Sequence, residues 1–118
     1  IVPWSPLGSG FLTGTIDRLS NDDFRNNNPK FSGNNLQENI DLFAQLKKIA
    51  SELNITPAQL ALAWLLHQGE NIIPIPGTRT PARVIENAAA ADIKLSAEIL
   101  TTINQIAALG AAKGATLV

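Results

Sequence analysis

Apolar residues recur every three or four positions between residues 36 and 53, the spacing of one face of an α-helix. The next stretch, residues 57–68, is apolar nearly all round, which indicates a helix that is mostly buried. It opens with Thr56, Pro57 and Gln59, the residues of a capping box with proline at the first helical position. The pattern therefore predicts two successive helices. The first is amphipathic and is expected to stop at Asn54, and the second is central to the core.

Two short runs rich in β-branched residues, residues 1–4 and 72–75, are typical of buried strands. Each run leads into a turn that contains glycine and proline. Further helices are predicted over residues 81–91 and after Ser96, which can act as an N-cap. Strands that alternate with helices pair in parallel through right-handed crossovers, so the pattern predicts the α/β class.

Residues 15–35 are polar and irregular, and their asparagine, serine and glycine clusters favour turns. A loop of this length in a compact domain is usually functional or disordered. Two interpretations stand evenly: a flap over a ligand, and a mobile surface excursion. The tail is expected to be loose, because Gly110 and Gly114 break the last helical pattern.

Two strands alone do not make a stable parallel sheet with both faces covered. The chain also begins inside an apparent strand, at Ile1, and contains no methionine. A processed small protein is one interpretation. We favour the other, in which residues 1–118 are the end of a single larger α/β domain.

Composition narrows the classes of function. Of the 118 residues, 45% are hydrophobic and 16% charged, as in a small soluble domain, and no apolar run is long enough to cross a bilayer. A net charge of -1 offers no basic field to nucleic acid or to an acidic membrane surface. With no cysteine and one histidine, thiolate and histidine-cluster metal sites are excluded. We expect no nucleic-acid, membrane or metal partner, and a cytoplasmic location.

The sequence after the second predicted strand is typical of a phosphate-binding corner. Gly77 would let the backbone turn, and Thr80 followed by Pro81 predicts a helix start. A helix start carries unpartnered N–H groups and a positive dipole end, which stabilise an anion. Arg79 and Arg83 add two guanidinium groups at that end. In the alternative interpretation, Arg79 merely pairs with a surface glutamate.

Four ordered motifs resemble the aldo-keto reductase family. Trp4–Gly14, read WSPLGSGFLTG, is similar to the family's seventh strand and following loop. Thr56–Trp64 resembles the helix before the eighth strand, and Ile75–Arg79 and Arg83–Asn87 resemble that strand and the helix start that binds nucleotide. The resemblance covers nearly the whole chain. It implies the C-terminal part of a TIM (β/α)8 barrel, with strands 7 and 8 and their helices.

The resemblance also implies hydride transfer between NADPH and a small-molecule carbonyl substrate. One group of residues would line the pyrophosphate: Ser5, Leu7, Gly8 and Gly10. A second group would hold the adenosine 2′-phosphate: Gly77, Thr78, Arg79 and Arg83. Glu86 and Asn87 would lie near the adenine. Trp4 stands where the family commonly has a tyrosine that stacks on the nicotinamide, and an indole can stack as well.

Two departures from the family pattern refine this expectation. Many relatives carry a lysine–serine pair where this chain has Gly77 and Thr78, so the arginines must supply the charge. Arginine forks suit a phosphate, which favours NADP over NAD. The family's catalytic Asp, Tyr, Lys and His lie on the early part of the barrel, and this chain contains no tyrosine. We expect no catalytic residue here, and His67 and Trp64 are expected to serve structure.

Three functions are therefore compared. The first is the cofactor-binding portion of an NADPH-dependent reductase, partnered by the remaining N-terminal part of the barrel. The second is a non-catalytic, aldo-keto reductase-like subunit that binds nucleotide and regulates. The third is a helical interaction module that uses the apolar helix of residues 57–68 as a partner face.

Overall fold

The computed structural model describes residues 1–16 and 18–115, so Asp17 of the predicted flap and residues 116–118 of the predicted tail lie outside the described residues. It contains four α-helices: α1 (Gly33–Glu52), α2 (Pro57–Leu66), α3 (Pro81–Ala89) and α4 (Ala97–Ile106). Three short 3-10 helices precede α1, and a fourth lies between α3 and α4: Phe11–Thr13, Phe24–Asn27, Pro29–Phe31 and Ala90–Asp92. In this part of the chain no regular β-strand forms.

The two predicted strands are extended segments that lie side by side. Ile73 N–H donates to the carbonyl oxygen of Ile1 (2.9 Å). The nitrogen of Ile1 donates in turn to the carbonyl oxygen of Asn71 (2.6 Å). Two residues further on, Ile75 N–H donates to the carbonyl oxygen of Pro3 (3.4 Å). This alternation is that of a parallel ladder. The prediction of regular strands is wrong because Pro3 has no N–H to donate back to Ile73, which interrupts the ladder.

Helix α1 ends at a stop that the sequence predicted. Asn54 adopts the left-handed conformation (φ 55°), which ends the helical path. Its N–H donates to the Ser51 carbonyl oxygen (3.1 Å), and Ile55 N–H donates to that of Ala50 (3.0 Å). These two bonds make a Schellman motif and satisfy carbonyl groups of the last turn. At its other end, α1 begins at Gly33, ahead of the predicted start.

Helix α2 begins at the predicted capping box and organises the core. The Thr56 hydroxyl oxygen accepts from the Gln59 N–H (3.2 Å), and Gln59 Oε1 accepts from the Thr56 N–H (3.1 Å). Gln59 Nε2 also donates to the carbonyl oxygen of Glu86 (3.0 Å), which ties α2 to α3. The buried cluster joins α1, α2 and α4: Ala50, Leu60, Ala63, Leu95 and Ile103.

Two polar side chains fasten α2 to the C-terminal region. Leu95 N–H donates to His67 Nε2 (3.2 Å), so Nε2 is unprotonated and Nδ1 carries the proton. Nδ1 donates in turn to the Ala63 carbonyl oxygen (2.8 Å). Trp64 Nε1 donates to Asn104 Oδ1 on α4 (2.8 Å). The sequence predicted structural roles for His67 and Trp64, and each makes a hydrogen bond to the C-terminal region.

The predicted loose tail is wrong for the residues that the structure describes at 113 and 114. Lys113 N–H donates to Oδ1 of the buried Asn39 (2.7 Å), and Asn39 Nδ2 donates back to the Lys113 carbonyl oxygen (2.9 Å). Gly114 lies so close to the Pro29–Lys30 peptide that a Cβ would come within 2.6 Å of the Pro29 carbonyl carbon. The tail therefore packs on the loop before α1.

Replacement of His67 by leucine is expected to lower the free energy of unfolding by about 1–3 kcal/mol, because the partly buried Leu95 N–H loses its acceptor. Equilibrium urea unfolding measures this loss. The control is Gln68→Ala, which removes an exposed bond to the Trp64 carbonyl oxygen and should change stability by no more than about 0.5 kcal/mol. Equal effects of the two substitutions would contradict the role given to His67.

Candidate functional site

Both predicted binding turns leave the paired extended segments at the same end. The pairing is parallel, and its last bond joins Ile75 to Pro3. Trp4 follows directly on one segment, and Pro76 and Gly77 follow on the other. In α/β proteins, ligands bind beyond the carboxyl ends of neighbouring parallel segments. The pairing thus starts the two turns from one edge.

The first turn, residues 5–10, is called the glycine turn. Gly8 N–H donates to the Ser5 carbonyl oxygen (2.9 Å), and Gly10 N–H donates to that of Leu7 (3.1 Å). Ser5 and Ser9 both take positive φ (51° and 55°), which is strained for residues with a side chain. All four residues predicted to line a pyrophosphate lie together in this turn. A third N–H, that of Ser9, donates to the Ser5 hydroxyl oxygen (3.3 Å). Because three of its N–H groups bond internally, the turn offers a ligand close approach and the hydroxyl hydrogen of Ser5 more than free amides.

The second turn, residues 77–83, is called the arginine corner. Thr80 occupies the N-cap position and Pro81 the first helical position, as predicted, but the predicted side-chain cap is wrong. The Thr80 N–H instead donates to the Thr78 hydroxyl (3.2 Å). The first turn of α3 therefore receives no hydrogen bond from the Thr80 side chain. Because Pro81 has no N–H and the Arg83 N–H donates to the Thr80 carbonyl oxygen (3.0 Å), the Ala82 N–H is the group of this turn that an external acceptor can use.

The residues of the arginine corner face solvent. Gly77, Arg79 and Arg83 are exposed, whereas Glu86 and Asn87, further along α3, are partly buried. A Cβ on Gly77 would meet no atom within 4 Å. The steric need for glycine that the sequence suggested is therefore not present within this chain. The same observation shows open space beside the corner, where a bound group can approach.

A cavity of about 550 Å³ adjoins the glycine turn. Three of the predicted cofactor residues belong to its wall: Trp4, Ser5 and Gly8. Residues 15–35 supply four further wall residues: Phe24, Asn28, Lys30 and Phe31. Since this segment forms a cavity wall, the structure favours the flap interpretation over a surface excursion. The residues of the arginine corner are not among those that line this cavity.

Trp4 is 64% exposed and borders a second, mostly apolar cavity of about 400 Å³ as well. That cavity also reaches Trp64 of α2. The indole of Trp4 therefore has an accessible face at the edge where both extended segments end. An exposed aromatic face in this position is available for stacking on a flat ring.

Sequence reasoning missed a clasp between the flap and the glycine turn. The Asp23 carboxylate accepts from Arg25 Nε (2.9 Å) and Nη2 (2.6 Å). Arg25 Nη1 also donates to the Ser9 carbonyl oxygen (3.1 Å). The side-chain hydrogen bond from Arg25, followed by that from its backbone, lowers the pKa of Asp23 to about 2. The Asp-x-Arg spacing was the available signal.

Residues 1–16 and 18–115 do not provide two other kinds of site. No helix there combines the length and apolar character needed to cross a bilayer. No group of three or more histidine, cysteine, aspartate or glutamate side chains there could hold a metal ion. The candidate site therefore consists of the glycine turn, the arginine corner and the cavity.

Comparison with known proteins identifies the family to which this chain belongs. Residues 1–108 match the aldo/keto reductase family. The chain is 46% identical over 110 residues to aldo-keto reductase str7 of Strobilurus tenacellus, covering 91% of this chain and 33% of that protein. It is 46% identical over 99 residues to aldo-keto reductase yakc [NADP(+)] of Schizosaccharomyces pombe, covering 81% of this chain and 29% of that protein. The chain belongs to the aldo/keto reductase family, as the motifs predicted.

A solved structure supports the same assignment. Glycerol dehydrogenase AKR11B4 from Gluconobacter oxydans aligns with 98% of this chain and 36% of its own, with a TM-score of 0.80 and 25% identity. The chain spans about a third of the length of the curated relatives that it matches. The position of the chain within a barrel and the roles of its site residues stay predictions.

Replacement of Asp23 by asparagine tests the clasp through pH. Because the folded-state pKa lies below the ordinary value of 3.8, the carboxylate stabilises the fold above that value, and the contribution is lost as the pH falls through about 2. The Asp23→Asn protein should therefore melt below wild type at about pH 6, and the gap should close towards about pH 2.5.

Thermal unfolding of both proteins across this pH range measures the gap. The control is Asp22→Asn, which removes the neighbouring exposed carboxylate and should leave the melting temperature nearly unchanged. A gap for Asp23→Asn that stays constant or widens as the pH falls would contradict the ion-paired role.

Proposed function

We propose that this chain is the cofactor-binding portion of a cytoplasmic, NADPH-dependent aldo-keto reductase that converts aldehydes or ketones to alcohols. In this proposal it forms the C-terminal part of a (β/α)8 barrel, with strands 7 and 8 and their helices. Family membership and the structural likeness to an aldo-keto reductase support the proposal. The NADP(+) in the name of the Schizosaccharomyces pombe relative supports the choice of cofactor.

One observation carries the proposal: the parallel pairing of the extended segments starts both turns from a single edge. NADPH carries a pyrophosphate and an adenosine 2′-phosphate, and each turn is assigned one of these groups. The glycine turn would receive the pyrophosphate beside Ser5 and Gly8. The arginine corner would receive the 2′-phosphate, with Arg79 and Arg83 as cations and the Ala82 N–H at the start of α3 as a further donor.

The residues present fit this group chemically. Gly77 leaves open space at the corner, and both guanidinium groups belong to exposed residues. Trp4 offers its exposed indole to the nicotinamide, where stacking would fix which face of the ring is presented. When bound, NADPH supplies the hydride for reduction. The role of this chain is to bind and orient the cofactor and to exclude water from one side.

The paired segments also leave an apolar face that needs a partner. Ile1, Ile73 and Ile75 are 83%, 63% and 52% exposed. Full burial of such a side chain stabilises a fold by roughly 1.5–3 kcal/mol, so this surface favours a covering layer. We assign that layer to the remaining N-terminal part of the barrel, which would also supply the catalytic residues, including the tyrosine that this chain lacks.

The second candidate is a non-catalytic subunit that binds nucleotide, and the missing tyrosine favours it only if no longer chain supplies one. Two measurements separate the candidates. Turnover of a simple aldehyde with NADPH would support the reductase. Saturable NADPH binding without turnover, in the complete protein, would support the subunit.

Replacement of Arg83 by alanine is expected to weaken NADPH binding by about tenfold or more and to leave NADH binding nearly unchanged. The reason is that a charge-assisted hydrogen bond to the 2′-phosphate contributes roughly 1.5–3 kcal/mol, and NADH has no such phosphate. Fluorescence titration of the purified protein with each nucleotide measures both dissociation constants.

Lys94→Ala is the matched control, because it removes an exposed cation outside the arginine corner and should leave both affinities unchanged. Equal weakening of NADPH and NADH by Arg83→Ala would refute the 2′-phosphate assignment. Failure of the wild-type protein to bind either nucleotide would refute the proposed function itself.

A further inference from the structure

Asn39 is a buried polar residue of α1 whose amide is fully engaged. Asn39 is only 3% exposed. Nδ2 donates to the carbonyl oxygens of Lys30 (3.0 Å) and Lys113 (2.9 Å), and Oδ1 accepts from the Lys113 N–H (2.7 Å). One amide thus joins α1, the flap and the tail. Lys113 lies 74 positions from Asn39 in the sequence.

A second contact joins the same two segments without a side chain. Gly114 has a φ of +90°, and a Cβ there would lie 2.6 to 2.7 Å from main-chain atoms of Pro29 and Lys30. Glycine is required on both counts, because L residues rarely adopt this φ and backbone atoms cannot give way. The tail and the flap are therefore in main-chain contact beside Asn39.

These segments form part of the cavity wall next to the glycine turn. Lys30, Asn39 and Ala112 line the same cavity as Ser5 and Gly8. Loss of the Asn39 amide would leave the carbonyl oxygens of Lys30 and Lys113 without their donor. Polar groups in that state cost stability unless the segments move to reach water. The shape of the wall at Lys30 and Lys113 therefore depends in part on this amide.

We propose that Asn39 is a positioning residue for the cofactor: it fixes the flap at Lys30 and the tail at Lys113, so that the cavity wall holds its form around the pyrophosphate. The proposal rests on the proposed function, because it takes the ligand of this cavity to be NADPH. Asn39 touches no reacting atom in this account. It acts through the two segments that it joins, and Lys30 is the cation that it places in the wall.

The test compares two substitutions that open the same junction by different means. Asn39→Ala removes the amide, and Gly114→Ala forces the backbones apart. Each should weaken NADPH binding by about tenfold, and the double substitution should weaken it no further than the stronger single one. Amide hydrogen exchange, which needs no nucleotide, should speed up in both residues 28–31 and residues 111–115.

His67→Leu is the control for stability, since it breaks a partly buried hydrogen bond elsewhere in the fold. At a comparable loss of unfolding free energy, it should leave the NADPH dissociation constant within about twofold of wild type. If Asn39→Ala does not yield folded protein, Gly114→Ala carries the same test.

Two results would overturn the proposal. One is accelerated exchange with an unchanged NADPH dissociation constant, which would make Asn39 purely structural. The other is exchange that stays as slow as in wild type, which would show that Asn39 does not hold the segments. Absence of NADPH binding in wild type would instead refute the proposed function, and with it the role of the junction in binding, while the exchange data would still report the junction.

Discussion

The parallel pairing of residues 1–3 with residues 71–75 is the interaction on which the rest of this structure depends. Three main-chain hydrogen bonds set its direction and register. Because the two segments run the same way and end together, the turn that follows each begins at a common edge. An antiparallel arrangement of the same segments would send the turns to opposite ends, and no single nucleotide would reach both.

Around this edge, polar side chains hold irregular backbone in place. Arg25 joins the flap to the glycine turn, and Asn39 joins the flap to the tail. Neither connection is part of the regular backbone hydrogen bonding of a helix or a strand, yet together they fix a wall of the cavity. Charge-assisted and buried hydrogen bonds are suited to this task, because breaking one leaves its partner without compensation. The flap has an irregular sequence and nevertheless forms a defined wall of the cavity.

How far the sequence predicts the structure depends on how local each signal is. The capping box at Thr56, the N-cap at Ser96 and the stop at Asn54 were all predicted correctly, because each involves residues within a few positions. The interrupted ladder could also have been foreseen, since Pro3 visibly lacks a donor. The tail could not, because Asn39 finds its partner 74 residues away and no periodicity reports that contact.

The residues of the predicted site stay predictions, and the structure adds surroundings that the motifs did not indicate. Family motifs placed the glycine turn and the arginine corner on adjoining segments, and the pairing of those segments agrees with that placement. The motifs gave no hint that Lys30 and Asn39 line the neighbouring cavity. The expected steric role of Gly77 was wrong, because what surrounds it in this chain is open space.

The central claim is that one nucleotide spans both turns. The most direct measurement is amide hydrogen exchange of the purified protein with and without saturating NADPH, followed separately in residues 5–10 and in residues 77–83. This account predicts that both turns become protected together, at the same nucleotide concentration. Protection confined to one turn, or of the two turns at clearly different concentrations, would contradict it.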